Sequence, residues 1–109
     1  MQLSGYRSMW VVTMFDLPVD TPSARRDSAQ FRQLLLKNGF TMLQFSVYGR
    51  HSVSEEQAHV HTSRIEHELP PDGEVRVLMV TERQFEKMRI FWGKIRKPCP
   101  ASPEQLTLF

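Results

Sequence analysis

Residues 6–16 read YRSMWVVTMFD, and this stretch is apolar on both of its alternating faces. Trp10, Val12 and Met14 point one way; Met9, Val11 and Phe15 point the other. A strand of that kind has to be covered on both sides. With 109 residues the chain has material for one core and not for two. The cover must come from few elements, and the remaining sequence shows which.

Thr21-Pro22 reads as an N-cap with proline at the first helical position, and Gly39 closes the helix after Asn38. Its apolar stripe is Ala24, Phe31, Leu34 and Leu35. Residues 40–50, FTMLQFSVYGR, form a second extended region, long enough to bend into two strands at Gln44. Ser54-x-x-Gln57 matches a capping box and opens a second helix, which Pro70-Pro71 ends. Its stripe is weak: Ala58, His61, Ile65 and Leu69. Residues 74–81, EVRVLMVT, form a further strand, and 84–92 are either a short hairpin partner or a turn of helix. Pro98, Pro100 and Pro103 exclude regular structure until the last five residues. The division is a folded domain over 1–97 and a Pro-rich extended tail over 98–109.

The order strand, helix, strand, strand, helix, strand predicts an α+β, ferredoxin-like βαββαβ sandwich. Two helices cover one face of a four-stranded sheet. The first and last strands are nevertheless apolar on both faces. A second copy of the same sheet is the cheapest cover, so the expectation is a twofold, face-to-face homodimer.

Composition excludes several classes. Hydrophobic residues make up 40% and charged residues 24%, which fits a globular domain and not a disordered one. Cys99 is the single cysteine, so no intramolecular disulfide and no cysteine-based zinc site can form. No signal segment and no stretch approaching a membrane span is present, and the expected location is the cytoplasm, without a membrane partner. Net charge is only +2, but Arg83, Lys87, Arg89, Lys94, Arg96 and Lys97 cluster against the single acid Glu86. Such a cluster suits a phosphate backbone or an acidic partner, and equally a solvated face.

Asp16 stands where the first strand meets Leu17-Pro18. In a face-to-face dimer it meets its symmetry mate. Two carboxylates brought close are stabilised by a shared hard cation, Mg²⁺ or Mn²⁺, or by a retained proton. A hydrated cation there can activate water against a phosphodiester. The alternative is an acid that merely ends a strand. His59, His61 and His67 are spaced badly for one metal ion and read as solvated helix residues. His51, after Arg50 at a strand end, suits a phosphate contact. Ser46 and Tyr48 lie on one side of the same extended region, within reach of a nucleic-acid backbone or packed in the dimer interface. The chain has no Gly-rich phosphate loop, zinc spacing or nucleophile elbow.

Strand-Asp, helix, GFTMLQFSVYGR and VLMVTERQFEKM, in that order, resemble the small CRISPR-associated adaptation protein family Cas2 over residues 6–93. The likeness is strongest to the form found in type II systems. It implies a ferredoxin-like homodimer that acts in spacer acquisition, with the CRISPR integrase as partner and duplex DNA (prespacer and CRISPR array) lying across the dimer. It also implies a metal-dependent endonuclease of RNA or DNA, with the family's metal-binding Asp falling on Asp16. A rigid dimer with a basic rim can hold a duplex by phosphate contacts without reading sequence. The candidates are Arg50, Arg25 and Arg26 first, then Arg7, His51, Arg76 and Arg89. The tail ends QLTLF, and Leu106, Leu108 and Phe109 concentrate apolar surface at the last residues. It is either a disordered end, an anchor onto the integrase or the dimer mate, or a likeness of the Gln-Leu-x-Leu-Phe peptide that binds the replication sliding clamp.

Overall fold

The computed structural model describes residues 7–94; the tail, Cys99, Arg96 and Lys97 lie outside them. Seven elements follow one another: β1 (Met9–Asp16), α1 (Pro22–Lys37), β2 (Thr41–Gln44), β3 (Val47–Ser52), α2 (Glu55–His67), β4 (Glu74–Thr81) and α3 (Glu82–Glu86). The four strands form one sheet in the order β2-β3-β1-β4, each antiparallel to its neighbours. This is the βαββαβ arrangement, with β1 and β3 at the centre.

Caps explain where the helices begin. The Thr21 hydroxyl accepts from Ala24 N at 3.0 Å, with Pro22 inside the first turn. Ser54 accepts from Gln57 N at 3.1 Å, while Gln57 reaches back to Val53 N at 3.2 Å. Thr81 and Gln84 close a full reciprocal capping box on α3, so residues 82–86 are a helical turn and not a hairpin strand. The extended region of 40–50 breaks at Phe45-Ser46, beside the expected bend, where Ser46 takes φ 67.

β1 divides as its pattern predicts. Met9, Val11, Thr13 and Phe15 face the helices and are buried with Phe31, Leu35, Phe40, Tyr48, Ala58 and Ile65. Phe15 meets Phe31 edge-on at 5.2 Å and lies against Tyr48 at 5.6 Å. Val75, Val77 and Met79 of β4 close the same core. Tyr48 pairs in register with Thr13, so it belongs to this core and packs in neither a dimer face nor a nucleic-acid groove. Ser46 sits in the turn and shares no strand face with it. His61 is buried on α2 with Ala58 and Ile65, which corrects its reading as a solvated residue, whereas Leu69 lies past the end of α2 and is exposed.

The second face carries Trp10, Val12, Met14 and Asp16 from β1, with Leu78 and Val80 of β4 and Gly49 and His51 of β3 beside them in register. Neither long helix covers it. Leu78 is 51% exposed at its centre. Among the described residues, α3 reaches over one corner, where Phe85 stacks on Trp10 with centroids 4.0 Å apart. Gly49 makes room beneath: a Cβ there would lie 2.9 Å from Leu43 and 3.3 Å from Trp10.

Gly73, at φ 97, brings the chain into β4 against the end of β1, and a Cβ on it would lie 2.7 Å from the Asp16 carbonyl oxygen. We predict that Gly73→Ala costs about 1–3 kcal/mol, from left-handed backbone strain plus that clash. Urea unfolding of both proteins tests this: coincident midpoints would show that the close approach is not needed.

Candidate nucleic-acid interface and acidic rim

β1 carries the sheet's second face from end to end, and the candidate residues collect at its two ends. At the C-terminal end Asp16 is exposed, and its cross-strand partner is Glu74. Directly opposed residues of an antiparallel pair share one face. The acid singled out by sequence thus has a second carboxylate beside it. Arg76 Nε donates to Glu74 Oε1 at 2.8 Å. That bond and the guanidinium charge hold the Glu74 carboxyl below its usual range and push Arg76 up. Both side chains are exposed, so this is a rim pair with little effect on stability.

These oxygens are the hard donors that Mg²⁺ or Mn²⁺ takes, but they are few. Among the described residues no three His, Cys, Asp or Glu side chains gather closely enough to hold a metal ion. A single chain therefore supplies a fragment of a metal site, which fits a cation only if a second copy brings its own Asp16.

The other end of β1 gathers His51, Glu82, Arg7 and Arg83. His51 Nε2 lies 3.4 Å from Glu82 Oε1, and its ring meets Trp10 edge-on at 5.6 Å. Next to this pair opens a cleft of about 410 Å³ lined by Arg7, Ser8, Thr81, Glu82 and Arg83. The sequence marks Arg83 only as a member of the basic cluster, and nothing local marks Glu82. Their signal is the register of β1 with β3 and β4, which no local pattern shows.

The arginines separate by layer. Arg25 and Arg26 stand exposed in the first turns of α1, with Arg25 NH1 on the Val19 carbonyl at 3.0 Å. Arg89 lies over Phe91, 5.1 Å from the ring centroid. Arg50 differs. It pairs with Val11, so it points to the helix side. Its Nε donates to His61 Nε2 at 3.3 Å, and NH1 lies on the Gly39 carbonyl at 3.4 Å. Arg32, which no sequence motif singles out, sits over Phe45 and Phe15 at 4.4 and 5.0 Å and donates to Ser46 Oγ at 3.2 Å. It holds the β2–β3 turn.

The family model of CRISPR associated protein Cas2 matches residues 9–88. The CRISPR-associated endoribonuclease Cas2 of Parvibaculum lavamentivorans is 52% identical over 93% of this chain and 100% of its own length. That of Flavobacterium psychrophilum is 43% identical over 99% of this chain and 94% of its own. A crystal structure of cas2 superposes with a TM-score of 0.54 at 18% identity, over 85% of this chain and 98% of that one, and it supports the fold.

His61 gives this region a pH dependence. Burial first, then the charges of Arg50 and Arg64, hold its pKa below the ordinary value. The unfolded chain then binds the extra proton, with an ordinary histidine pKa near ~6.5. The contribution is complete above that pH and is lost as pH falls below it towards the folded value. We predict that His61→Leu flattens the stability difference between pH 7.5 and pH 5.5. Equal differences in the urea midpoints of parent and variant would refute this.

Proposed function

The chain belongs to the CRISPR-associated Cas2 family, and from that premise we propose that it serves spacer acquisition as a homodimeric scaffold, holding duplex DNA between copies of the CRISPR integrase. The observation that carries this reading is the uncovered face of the sheet. Leu78 is exposed beside half-buried Met14 and buried Val12, with no helix over them among the described residues, and an exposed run of Met88, Ile90 and Phe91 follows α3 on the same chain. A second copy, sheet against sheet, covers the first and gives the second something to pack on. Such a dimer is rigid, since each half keeps its own core.

Duplex DNA would be held by phosphate contacts. Arg25 and Arg26 suit that role best, being exposed and bonded to no carboxylate among the described residues. Arg7 and His51 supply a second patch at the far end of β1, and Arg89 a third beyond α3. Arg76 is engaged by Glu74, and Arg50 by His61 and Gly39. Their part in binding requires those bonds to be exchanged for phosphate. The apolar tail residues Leu106, Leu108 and Phe109 would dock on the integrase or the dimer mate, or on the replication sliding clamp.

A second reading has one observation in its favour: Asp16 and Glu74 are paired across strands on the open face. In the face-to-face dimer the two Asp16 carboxylates would share a Mg²⁺ or Mn²⁺ ion. Such an ion, when bound, supplies an activated water for phosphodiester hydrolysis. This chain's part is to hold the ion at Asp16 and to keep Glu74 charged through Arg76. The relatives named above carry the name endoribonuclease, in agreement with this reading.

Two measurements separate the readings. Asp16→Ala is expected to abolish Mg²⁺-dependent cleavage while duplex binding and spacer acquisition persist; acquisition that collapses in an intact dimer would sink the scaffold reading. Arg25→Ala with Arg26→Ala is expected to weaken all duplex sequences alike. It should also lower the slope of log affinity against log salt by about 0.9 for each phosphate that is no longer neutralised. Weakening confined to some sequences would contradict backbone binding.

A further inference from the structure

A groove runs beside the start of α1, where the β1–α1 loop and the α2–β4 loop meet it. Two clefts make it, of about 270 Å³ and 150 Å³, and they share Asp27 and Pro70 as a common wall. Asp20, Asp27 and Asp72 line the first, and the second adds Glu68. No Arg, Lys or His lines either. Ala24, Asp27, Ser28 and Phe31 share one face of α1, whereas Arg25 and Arg26 fall outside it, Arg25 being turned back to the Val19 carbonyl. Asp27 is half-buried, and neither it nor Asp20 is bonded to a cation among the described residues. Acids alone would make a solvated surface. What sets this groove apart is Ser28. It is 5% exposed, it lines the first cleft, and its hydroxyl has no hydrogen-bond partner among the described residues. Thr13 and Ser52 also lack partners but are sealed in the core, while the Ser28 hydroxyl opens on the cleft. Its partner is therefore whatever fills the cleft.

The chemistry of the walls selects the occupant. They offer mainly acceptors: three carboxylates, of which Asp72 has one oxygen on Gly73 N at 2.8 Å, and the Ser28 hydroxyl. The first amides of α1 that would draw an anion are already taken, Ala24 N by the Thr21 hydroxyl and Arg25 N by the Thr21 carbonyl. A phosphate is repelled here and a cation drawn in. A bare metal ion is not held, because no three metal-ligating side chains gather closely enough among the described residues. The first cleft is smaller than the roughly 300–1,000 Å³ of small-molecule pockets and suits a single side chain. Arginine fits it best. Its flat fork of donors reaches separate carboxylates and a hydroxyl together, where the ammonium of lysine is one point charge. Beside it, Phe31, Leu34 and exposed Leu69 give the second cleft an apolar floor. We propose that this groove docks a protein partner presenting an arginine beside an apolar side chain, the guanidinium entering the cleft of Asp20, Asp27 and Asp72 and the apolar group covering Leu69. The groove uses neither the open sheet face nor the phosphate contacts, so it holds or fails independently of the scaffold reading.

The test is a backbone-amide NMR titration of the full-length protein with the blocked dipeptide acetyl-Arg-Leu-amide. Acetyl-citrulline-Leu-amide, which keeps the shape and loses the charge, is the comparison. The expected result is saturable shifts at the amides of Ala24, Asp27, Ser28 and Gly73, with the citrulline peptide binding about 10-fold more weakly or worse. Asp27→Asn should weaken the arginine peptide about 10-fold, and Ser28→Ala by a smaller factor. Glu56→Gln removes an acid outside the groove and should bind as the parent does. Melting curves of each variant confirm that it is folded. The inference is overturned by the absence of saturable shifts at the groove, by equal binding of the two peptides, or by a folded Asp27→Asn that binds like the parent. Magnesium chloride that moves the same amides at the same concentrations would make this an ion site and overturn the arginine. Groove shifts that grow as the protein alone is concentrated would give the site to a second copy and overturn the partner.

Discussion

Everything in this fold depends on a strand that is apolar on both sides and has the two long helices on only one. β1 pairs with β3 and β4 along nearly its whole length, so its backbone is satisfied on both edges. Its side chains are buried chiefly on one face, with Val12 the buried member of the other. Met9, Val11 and Phe15 reach Phe31, Leu35 and Ile65. Trp10, Val12 and Met14 reach other strand residues and the corner supplied by α3. Among the described residues the strand's backbone is satisfied on both edges, while its burial is uneven between the two faces.

The two ends of β1 are chemically unlike, and the register makes them so. One end pairs Asp16 with Glu74 and engages Arg76, leaving an acidic rim. The other pairs Trp10 with His51 and brings Glu82 to 3.4 Å from it, with Arg7 and Arg83 lining the adjoining cleft. Between them lies an apolar field centred on Val12 and Leu78. Any partner seated on that field has acid at one end and base at the other.

Sequence reading succeeds where the signal is local. The pattern EVRVLMVT predicts a strand at 74–81, and β4 spans Glu74–Thr81. Thr21-Pro22 and Ser54 begin helices through their own hydroxyls. It fails where the answer lies in pairing between distant segments. Tyr48 and Arg50 both fall on the helix side of β3, and this follows from Tyr48 opposing Thr13 and Arg50 opposing Val11. A shift of one residue would send them to the other face. Asp16 is legible as an acid at a strand end, but Glu74 beside it is not, for the same reason. Ser46 lies in the turn before β3 at φ 67, which breaks the alternation that would put Ser46 and Tyr48 on one face. His61 misleads because a helix with so weak a stripe does not announce that its histidine is the buried member.

The strand order also says something about birth. β1 sits between two strands that are both made later, and Leu78, its partner at Val12, follows it by more than sixty residues of chain. At a synthesis rate of about 5–20 residues per second, the nascent strand waits several seconds for its last neighbour. α1 arrives first and can shield one side through Phe31 and Leu35. The other side has neither long helix against it, and α3, whose Phe85 stacks on Trp10, is made after β4. The order of synthesis therefore shields the helix side of β1 first and leaves its other side to the elements made last.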